Sequence, residues 1–224
     1  MVVVTRLMGP FGKVLYGGCV IALLAFTMSG CVSTRKRDSG PDITATGQKQ
    51  VRVSLSNRAV YVYDESGKSI FVSAVAIGTQ QNPTPTGDFK AFNKIAHKRS
   101  GSYGFHVNGN LIRPGKRSTM PSYCRYVGYP MPYWVEFKSG YGFHAGAVWP
   151  SPRSHGCLRI HKTIAKEFFQ IVDESTPIHI AQSLPEDKSK LGKKIWRPTD
   201  YALPNSPGPV LISNAPFSNH NVIY

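Results

Sequence analysis

The sequence YGFHAGAVWPSPRSHGCLRI, residues 141–160, contains two histidines and one cysteine in a short stretch. Cys157 follows His155 by two residues and His144 by thirteen, in a chain that has only 4 cysteines. A cysteine thiol becomes an effective nucleophile when a nearby base takes its proton. The spacing therefore predicts that Cys157 is a nucleophile and that His144 is its base.

Two short strands on either side of a rigid loop would bring these side chains to one pocket. We expect strands at residues 141–144 and 157–160, joined by a loop whose path one glycine and two prolines restrict. Gly156 lets the backbone approach closely just before the nucleophile. The amide of Cys157 is then placed to donate to an oxyanion.

The same residues resemble the signature of the L,D-transpeptidase (YkuD) catalytic domain. The resemblance lies in Ser154-His155-Gly156-Cys157, followed by Leu158-Arg159, with His144 upstream. It implies a mostly β, sandwich-like fold with a short helix after the cysteine. It also implies a cysteine acyltransferase in which a peptidoglycan stem peptide acylates Cys157 while His144 acts as the base. The resemblance implies no cofactor.

Other residues take supporting roles under this resemblance. His155 completes the catalytic set, Ser154 and Gly156 support the nucleophile and the oxyanion, and Arg159 holds a substrate carboxylate. Two features depart from the family pattern. The gap between the first histidine and Ser154 is only nine residues, and His161 stands where many members have proline.

Residues 1–30 have the composition of a secretory signal peptide, since a basic start precedes an apolar stretch without acidic residues. Met28-Ser29-Gly30-Cys31 resembles a bacterial lipobox, which implies lipidation of Cys31 and a flexible tether at 31–49. An ordinary cleaved signal peptide or an uncleaved anchor is the alternative. The residue after the cysteine is Val32 and not an aspartate, so resemblance to enterobacterial sorting favours the outer membrane. We therefore expect a protein held by lipid on the periplasmic side of a bacterial envelope.

Residues 50–183 carry the patterns of one catalytic domain. Alternating apolar residues from Val51 onward predict a β-meander, and a proline-rich turn at 81–87 leads into a further strand. Residues 96–131 are rich in glycine and proline, so we expect an irregular lid or substrate groove there. Apolar residues at helical spacing predict an amphipathic helix over 162–172, followed by a closing strand.

The last part of the chain, residues 184–224, has many prolines and asparagines and no apolar periodicity. This composition predicts a disordered tail.

Two further residues compete for a place in the site. The tetrapeptide Tyr103-Gly104-Phe105-His106 repeats the one at 141–144, so His106 is the rival base, although we interpret it as a surface or structural histidine. Cys124 could pair with Cys157 in an oxidising compartment. Because that disulfide would silence the nucleophile, we predict that Cys124 is free and partly buried.

The chain is strongly basic, with 27 Lys and Arg against 12 Asp and Glu and a net charge of +15. Removal of residues 1–30 deletes two basic residues and no acid, which leaves +13. Cell-wall polymers, stem-peptide carboxylates and anionic lipid headgroups suit such a chain. Nucleic acid would suit the charge as well, but it is not expected as a partner, because the chain is predicted to be exported and has no recognisable nucleic-acid-binding motif. We expect a monomer.

These observations predict a peptidoglycan L,D-transpeptidase that releases terminal D-alanine and forms 3-3 cross-links through a cysteine acyl-enzyme. With water as acceptor it would be a carboxypeptidase or endopeptidase, and with a protein as acceptor it would attach that protein to peptidoglycan. A non-catalytic wall-binding lipoprotein is a further alternative. A metal site at His144, His155 and Cys157 is not expected, because no paired Cys-x-x-Cys or His-Glu-x-x-His pattern is present.

Overall fold

The period-two pattern that begins near Val51 does form strands, and most of the described chain is β-sheet. The computed structural model describes residues 47–219 and 221–224. The predicted signal peptide, Cys31 and the tether up to residue 46 lie outside the described residues. Within them, no helix combines the length and the apolar character that crossing a membrane requires.

Ten strands are hydrogen-bonded to one another in a single series. They are β1 (Gln50–Ser54), β2 (Ala59–Tyr63), β3 (Ser69–Ala76), β4 (Gly87–Lys90), β5 (Asn93–Asn108), β6 (Leu111–Lys116), β7 (Arg125–Lys138), β8 (Tyr141–Ala145), β9 (Leu158–Ile160) and β10 (Pro177–Ala181). Their order across the sheet is β4-β10-β1-β2-β3-β9-β8-β7-β5-β6. The pairs β1–β10 and β8–β9 are parallel, and the other pairs are antiparallel. The predicted mostly β fold class is confirmed.

The sheet folds back on itself, and apolar side chains fill the space between its two halves. β4 and β7 belong to opposite halves, yet the rings of Phe89 and Phe137 have centroids 5.2 Å apart. One helix, α1 (Ala165–Ile171), follows the cysteine as predicted and covers this core. Its Phe168 lies 4.7 Å from Phe143 of β8, ring to ring. The result is the sandwich-like core that the sequence predicted.

The region at 96–131 is mostly sheet, so the expectation of an irregular segment was wrong, whereas several of its residues do line the cavity described below, as the expected groove would require. It belongs mainly to β5, β6 and β7, and its glycines allow close pairing at a shift of register between β5 and β7. A Cβ on Gly104 would lie 2.2 Å from the carbonyl oxygen of Val127, and one on Gly128 would lie 2.1 Å from that of Ser100. Glycines are needed where two strands pair closely at a bulge as well as in loops. A high glycine content therefore does not distinguish the two, which explains the wrong prediction.

The residues after β10 are folded, which corrects the expectation of a disordered tail. They form short helices and turns, namely Pro185–Lys188, α2 (Lys190–Lys193), Asp200–Ala202, α3 (Gly208–Ile212) and α4 (Ala215–Ser218). Leu184, Leu211, Val222 and Tyr224 are buried. These apolar residues are too widely spaced to produce a period, so the sequence pattern gave no sign of their packing.

Polar contacts attach this C-terminal segment to both halves of the sheet. Arg52 Nε lies 2.7 Å from Glu186 Oε1, and the Glu186 side chain is completely buried. The hydroxyl of Tyr63 donates to the same carboxylate oxygen at 3.3 Å. On the other half, the guanidinium of Arg99 donates to two carbonyl oxygens at the C-terminal end of α3. The C-terminal segment is therefore part of the domain.

Replacing Glu186 by alanine is expected to lower the free energy of unfolding by about 3 kcal/mol, because the Arg52 guanidinium then faces a buried site without its partner. Denaturant unfolding of the two proteins measures this difference. The control is Glu174→Ala, since Glu174 is exposed and its loss is expected to change the free energy by no more than about 0.5 kcal/mol. Equally small effects of both substitutions would contradict the packing of the C-terminal segment.

Candidate active site

Three adjoining strands, β7, β8 and β9, place Glu136, His144 and Arg159 on one face of the sheet, with Cys157 just before β9. Glu136 of β7 is paired with Gly142 of β8, and His144 of β8 is paired with Arg159 of β9. Side chains alternate along a strand, so residues two apart share a face. Cys157 comes two residues before Arg159, so it lies on the same face and opposite Gly142 across the strands. Glu136, Gly142 and Cys157 thus form one cross-strand row, and His144 and Arg159 form the next row on that face.

These side chains line one cavity of about 590 Å³, which brings the predicted nucleophile and base together. Its lining residues are Lys98, Ser100, Gly101, Ser102, Tyr103, Tyr129, Met131, Trp134, Glu136, Gly140, His144, Ser154, His155, Cys157, Arg159 and Asn205. The cavity therefore combines a thiol, two imidazoles, cationic side chains and one carboxylate.

His144 is only 4% exposed, and its ring is held as a neutral imidazole. Its Nδ1 lies 2.7 Å from the carbonyl oxygen of Ala145. Because a carbonyl only accepts, Nδ1 carries the proton and Nε2 keeps its lone pair. Burial, reinforced by the positive charge of Arg159, lowers the pKa of His144 from 6.5 to about 3. At neutral pH the imidazole is thus unprotonated, as a general base must be.

The Cys157 thiol is half-buried, and its Sγ lies 3.7 Å from the carbonyl oxygen of Gly140. Burial raises the pKa of Cys157 above its ordinary value of 9.0, and the carboxylate of Glu136 raises it further. The backbone N–H of Gly142 and the charge of Arg159 lower this pKa, but they do not outweigh burial. The thiol and the imidazole are therefore both neutral at pH 7, and the thiol proton must move as the nucleophile attacks.

Gly156 shapes the turn that presents the nucleophile. Its φ is +105°, and a Cβ there would lie 2.5 Å from the ring of Tyr141 and 3.2 Å from the carbonyl oxygen of Pro83. Only glycine fits this position without strain. The Gly156 N–H donates to Ser154 Oγ at 3.0 Å, and that hydroxyl donates to the Cys157 carbonyl at 2.6 Å. The Gly156 N–H is used within the turn and is not free to bind an oxyanion. Of the amides of Gly156 and Cys157, this leaves the Cys157 amide for the predicted oxyanion role.

The proline-rich turn at 81–87 supports this loop from the neighbouring strand. Thr84 is buried, and its Oγ1 accepts the N–H of Gly78 at 3.0 Å. Gly78 forms an isolated bridge with Ser154, and the carbonyl oxygen of Ile77 accepts the Ser154 N–H at 3.1 Å. The turn therefore helps to hold the loop that carries the nucleophile.

His155 and Arg159 both line the cavity, but their environments differ. His155 is exposed and stacks on Tyr103, with ring centroids 4.3 Å apart. Arg159 lies along Gly146, where a Cβ would come within 3.1 Å of the arginine Cδ. Its Nε is buried and has no hydrogen-bond partner among the described residues. This arrangement makes His155 a wall of the cavity and leaves an Arg159 donor available for a ligand.

Several residues of the cavity escaped the sequence analysis, among them Trp134, Glu136 and Asn205. Trp134 and Glu136 lie two apart in the strand before the base, so a period-two count along that strand would have placed both on one face. Asn205 comes from the C-terminal segment, and no local pattern in the sequence indicates its position.

The two competing residues do not line the cavity. His106 Nε2 lies 2.8 Å from the carbonyl oxygen of Lys116, across the β5–β6 pair. Cys124 is a free, partly buried cysteine as predicted, and Cys157 is also free. Within residues 47–219 and 221–224, no group of three or more His, Cys, Asp or Glu side chains could hold a metal ion.

A thiol and a neutral imidazole in one cavity of a mostly β domain define a candidate site for cysteine-based acyl transfer. Residues 48–180 match the L,D-transpeptidase catalytic domain, YkuD. Because this match covers more than half of the chain, the chain belongs to the L,D-transpeptidase (YkuD) catalytic-domain family. No curated protein matches it.

The chain is also similar to solved structures. An L,D-transpeptidase (Yku) from Stackebrandtia nassauensis has 21% identity and a TM-score of 0.46, with 69% of this chain and 63% of that chain covered. A mutant of the Enterococcus faecium L,D-transpeptidase has 24% identity and a TM-score of 0.44, with coverages of 60% and 50%. L,D-transpeptidase 1 of Mycobacterium tuberculosis has 21% identity and a TM-score of 0.42, with coverages of 59% and 61%. The chain thus spans between half and just under two thirds of these proteins.

The raised pKa of Cys157 predicts how its reaction with iodoacetamide depends on pH. Only the thiolate reacts, so the rate is expected to rise about ten-fold per pH unit from pH 6 and to continue rising beyond pH 9 without a plateau. Intact-protein mass spectrometry of the Cys124→Ser variant follows Cys157 without the second thiol. The Cys124→Ser, Cys157→Ala double variant measures the background alkylation of other residues. A plateau reached below pH 7 would instead indicate a preformed thiolate paired with a charged imidazole.

Proposed function

We propose that this protein is a peptidoglycan L,D-transpeptidase that forms 3-3 cross-links through an acyl-enzyme on Cys157, with release of terminal D-alanine. Membership of the family supports the reaction class. The observation that carries the proposal is the orientation of His144. Its Nδ1 is fixed by the Ala145 carbonyl at 2.7 Å, so the unprotonated Nε2 is available in the cavity that contains the thiol.

In the proposed acylation, Cys157 Sγ attacks the carbonyl between the third residue of the donor stem peptide and its terminal D-alanine. His144 Nε2 takes the thiol proton as the carbon–sulfur bond forms, which avoids a free thiolate in a site that disfavours it. The Cys157 amide donates to the oxyanion. The imidazolium then returns its proton to the leaving amine of D-alanine, and a neutral thioester remains.

The charges of the cavity fit a donor with carboxylates. Arg159 has a buried Nε without a partner among the described residues, and Lys98 lines the same cavity. Arginine binds a carboxylate through charge-assisted hydrogen bonds, which are stronger than those between neutral groups. We assign Arg159 to a donor carboxylate, while His155 and Tyr103 form an aromatic wall beside it.

The acceptor determines which of three outcomes the thioester gives. An amine on a second stem peptide gives the 3-3 cross-link, water gives a carboxypeptidase or endopeptidase, and an amine of a protein attaches that protein to peptidoglycan. We favour transpeptidation because a cavity of about 590 Å³ around the thiol is much larger than a single attacking water needs. A non-catalytic wall-binding protein is disfavoured, since it would not need an oriented imidazole beside a thiol.

Incubation of a soluble form, residues 32–224, with disaccharide-tetrapeptide muropeptides tests the reaction. Mass spectrometry is expected to find cross-linked dimers that lack one D-alanine. The Cys157→Ala variant is expected to form none, a loss of at least about a thousand-fold, because it has no nucleophile.

The matched control is Cys124→Ser. Cys124 is the second free cysteine among the described residues and does not line the cavity, so this variant is expected to keep full activity. Tripeptide monomers without dimers would identify water as the acceptor. Unchanged muropeptides with every protein would refute a transfer reaction on this donor.

We also propose that Cys31 is lipidated and that the lipid holds the protein on the periplasmic side of the envelope, in the outer membrane. The lipobox-like sequence at 28–31 and the basic tether after it support this proposal.

Labelling of growing cells with an alkyne palmitate is expected to mark the full chain and to leave the Cys31→Ala variant unmarked. Fractionation of the envelope then locates the labelled protein. Absence of label on the parent chain would rule out the lipid anchor.

A further inference from the structure

Glu136 is the only carboxylate among the described residues that line the cavity. It occupies the same cross-strand row as Cys157, because β7 pairs it with Gly142 of β8. Its Oε1 accepts the Gly140 N–H at 3.0 Å, and the carbonyl oxygen of Gly140 lies 3.7 Å from Cys157 Sγ. Gly140 thus contacts the Glu136 carboxylate through its N–H and the Cys157 thiol through its carbonyl oxygen.

The Glu136 carboxylate is held in one orientation and kept ionised. Its Oε2 accepts hydrogen bonds from Asn93 Nδ2 at 2.9 Å and from Trp134 Nε1 at 3.2 Å. Burial raises the pKa of Glu136, but the hydrogen bonds from Gly140, Asn93 and Trp134, together with the charge of Lys98, outweigh it, so the pKa lies below its ordinary value of 4.5. None of the ion pairs among the described residues includes Glu136. The cavity therefore contains a fixed negative charge without a paired cation.

This charge does not help the nucleophile. A carboxylate near the thiol disfavours the thiolate, and Glu136 does raise the pKa of Cys157. Once the thioester has formed, the sulfur is neutral and no such repulsion remains. A negative charge beside a neutral thioester attracts a cation instead.

We propose that Glu136 binds the ammonium group of the acceptor and so selects a cationic primary amine over water as the second substrate. This inference rests on the proposed transpeptidase function. Two cationic side chains share the cavity with Glu136, and neither forms an ion pair with it. Lys98 is paired with Met131 on β7 and is near enough for its charge to lower the pKa of Glu136, while Arg159 is level with His144. Arg159 and Glu136 thus offer separate groups of opposite charge to the donor's carboxylate and the acceptor's ammonium.

The proposed step balances in atoms and charge. The bound ammonium first loses one proton to water, and the resulting amine attacks the thioester carbon. The new carbon–nitrogen bond forms as the carbon–sulfur bond breaks, and His144 Nε2 takes the second amine proton in the course of attack and passes it to the departing sulfur. The products are an amide, the Cys157 thiol, a neutral imidazole and the proton released to water.

A pair of acceptors that differ in charge tests this inference. The cationic acceptor is the stem-peptide amine of a muropeptide, and the neutral one is methoxyamine, which is uncharged at pH 7. For each protein, the acyl-enzyme is formed with the tetrapeptide donor and verified by intact mass. The measured quantity is the ratio of kcat/KM for the cationic acceptor to kcat/KM for methoxyamine.

Glu136→Gln is expected to lower this ratio by at least about ten-fold, the size of one hydrogen bond to a charged group. The control is Asp88→Asn, which makes the same change in net charge at an exposed position paired with His179. Asp88→Asn is expected to leave the ratio unchanged. The ratio is an internal measure, so any general loss of activity from a disturbed Gly140 turn cancels.

Equal loss of both reactions in Glu136→Gln would overturn the inference, because Glu136 would then only position Gly140. If Glu136→Gln fails to fold, the parent protein still decides the matter. Added salt is expected to slow its reaction with the cationic acceptor and not with methoxyamine, and equal effects on both would overturn the inference. Absence of acyl-enzyme in the parent would refute the proposed function and this inference together, whereas acyl-enzyme with an unchanged ratio would refute only the inference.

Discussion

The parallel pairing of β8 with β9 is the constraint on which the rest of the site depends. It pairs Phe143 with Leu158 on one face and His144 with Arg159 on the other. Phe143 and Leu158 are completely buried, so a slip of one residue would turn apolar side chains out of the core. The same slip would move His144 and Cys157 to opposite faces. Hydrophobic packing on one side of the sheet therefore sets the catalytic register on the other.

Burial gives this site its orientation and also limits its reactivity. The neutral imidazole of His144 is held by a backbone carbonyl, and burial keeps the proton on the Cys157 thiol. A resting thiol is less prone to adventitious alkylation and oxidation than a thiolate. Arg159 and Glu136 act on the thiol with opposite signs. This opposition is understandable if each charge serves a different substrate, with the nucleophile activated only in the course of attack.

Parts of the chain that appear irregular in sequence complete the cavity. The long β5–β7 pair contributes Lys98 and Tyr103, and the C-terminal segment contributes Asn205. Asn205 lies beyond residues 48–180, the part of the chain that matches the family. The nucleophile and base thus belong to the matched region, while one wall of the cavity is made by a segment outside it. The buried pair of Arg52 and Glu186 helps to attach that segment to the sheet.

Local sequence was sufficient for the strands near Val51, the helix after the cysteine and the choice of Cys157 and His144 as candidate site residues. Each of these depends on near neighbours in the chain, through alternation, helical spacing or the geometry that Gly156 permits. Composition did not predict the sheet at 96–131, because glycine occurs in closely paired strands as well as in loops. It did not predict the folded C-terminal segment either, because the buried residues of that segment are far apart in sequence. The sequence by itself predicted Cys157 as a nucleophile and His144 as its base, and it determined that both belong to one short stretch of the chain. Only the tertiary structure decided their protonation, the fixed charge of Glu136 beside them and the walls of the cavity, because burial and cross-strand pairing join residues that no local pattern relates.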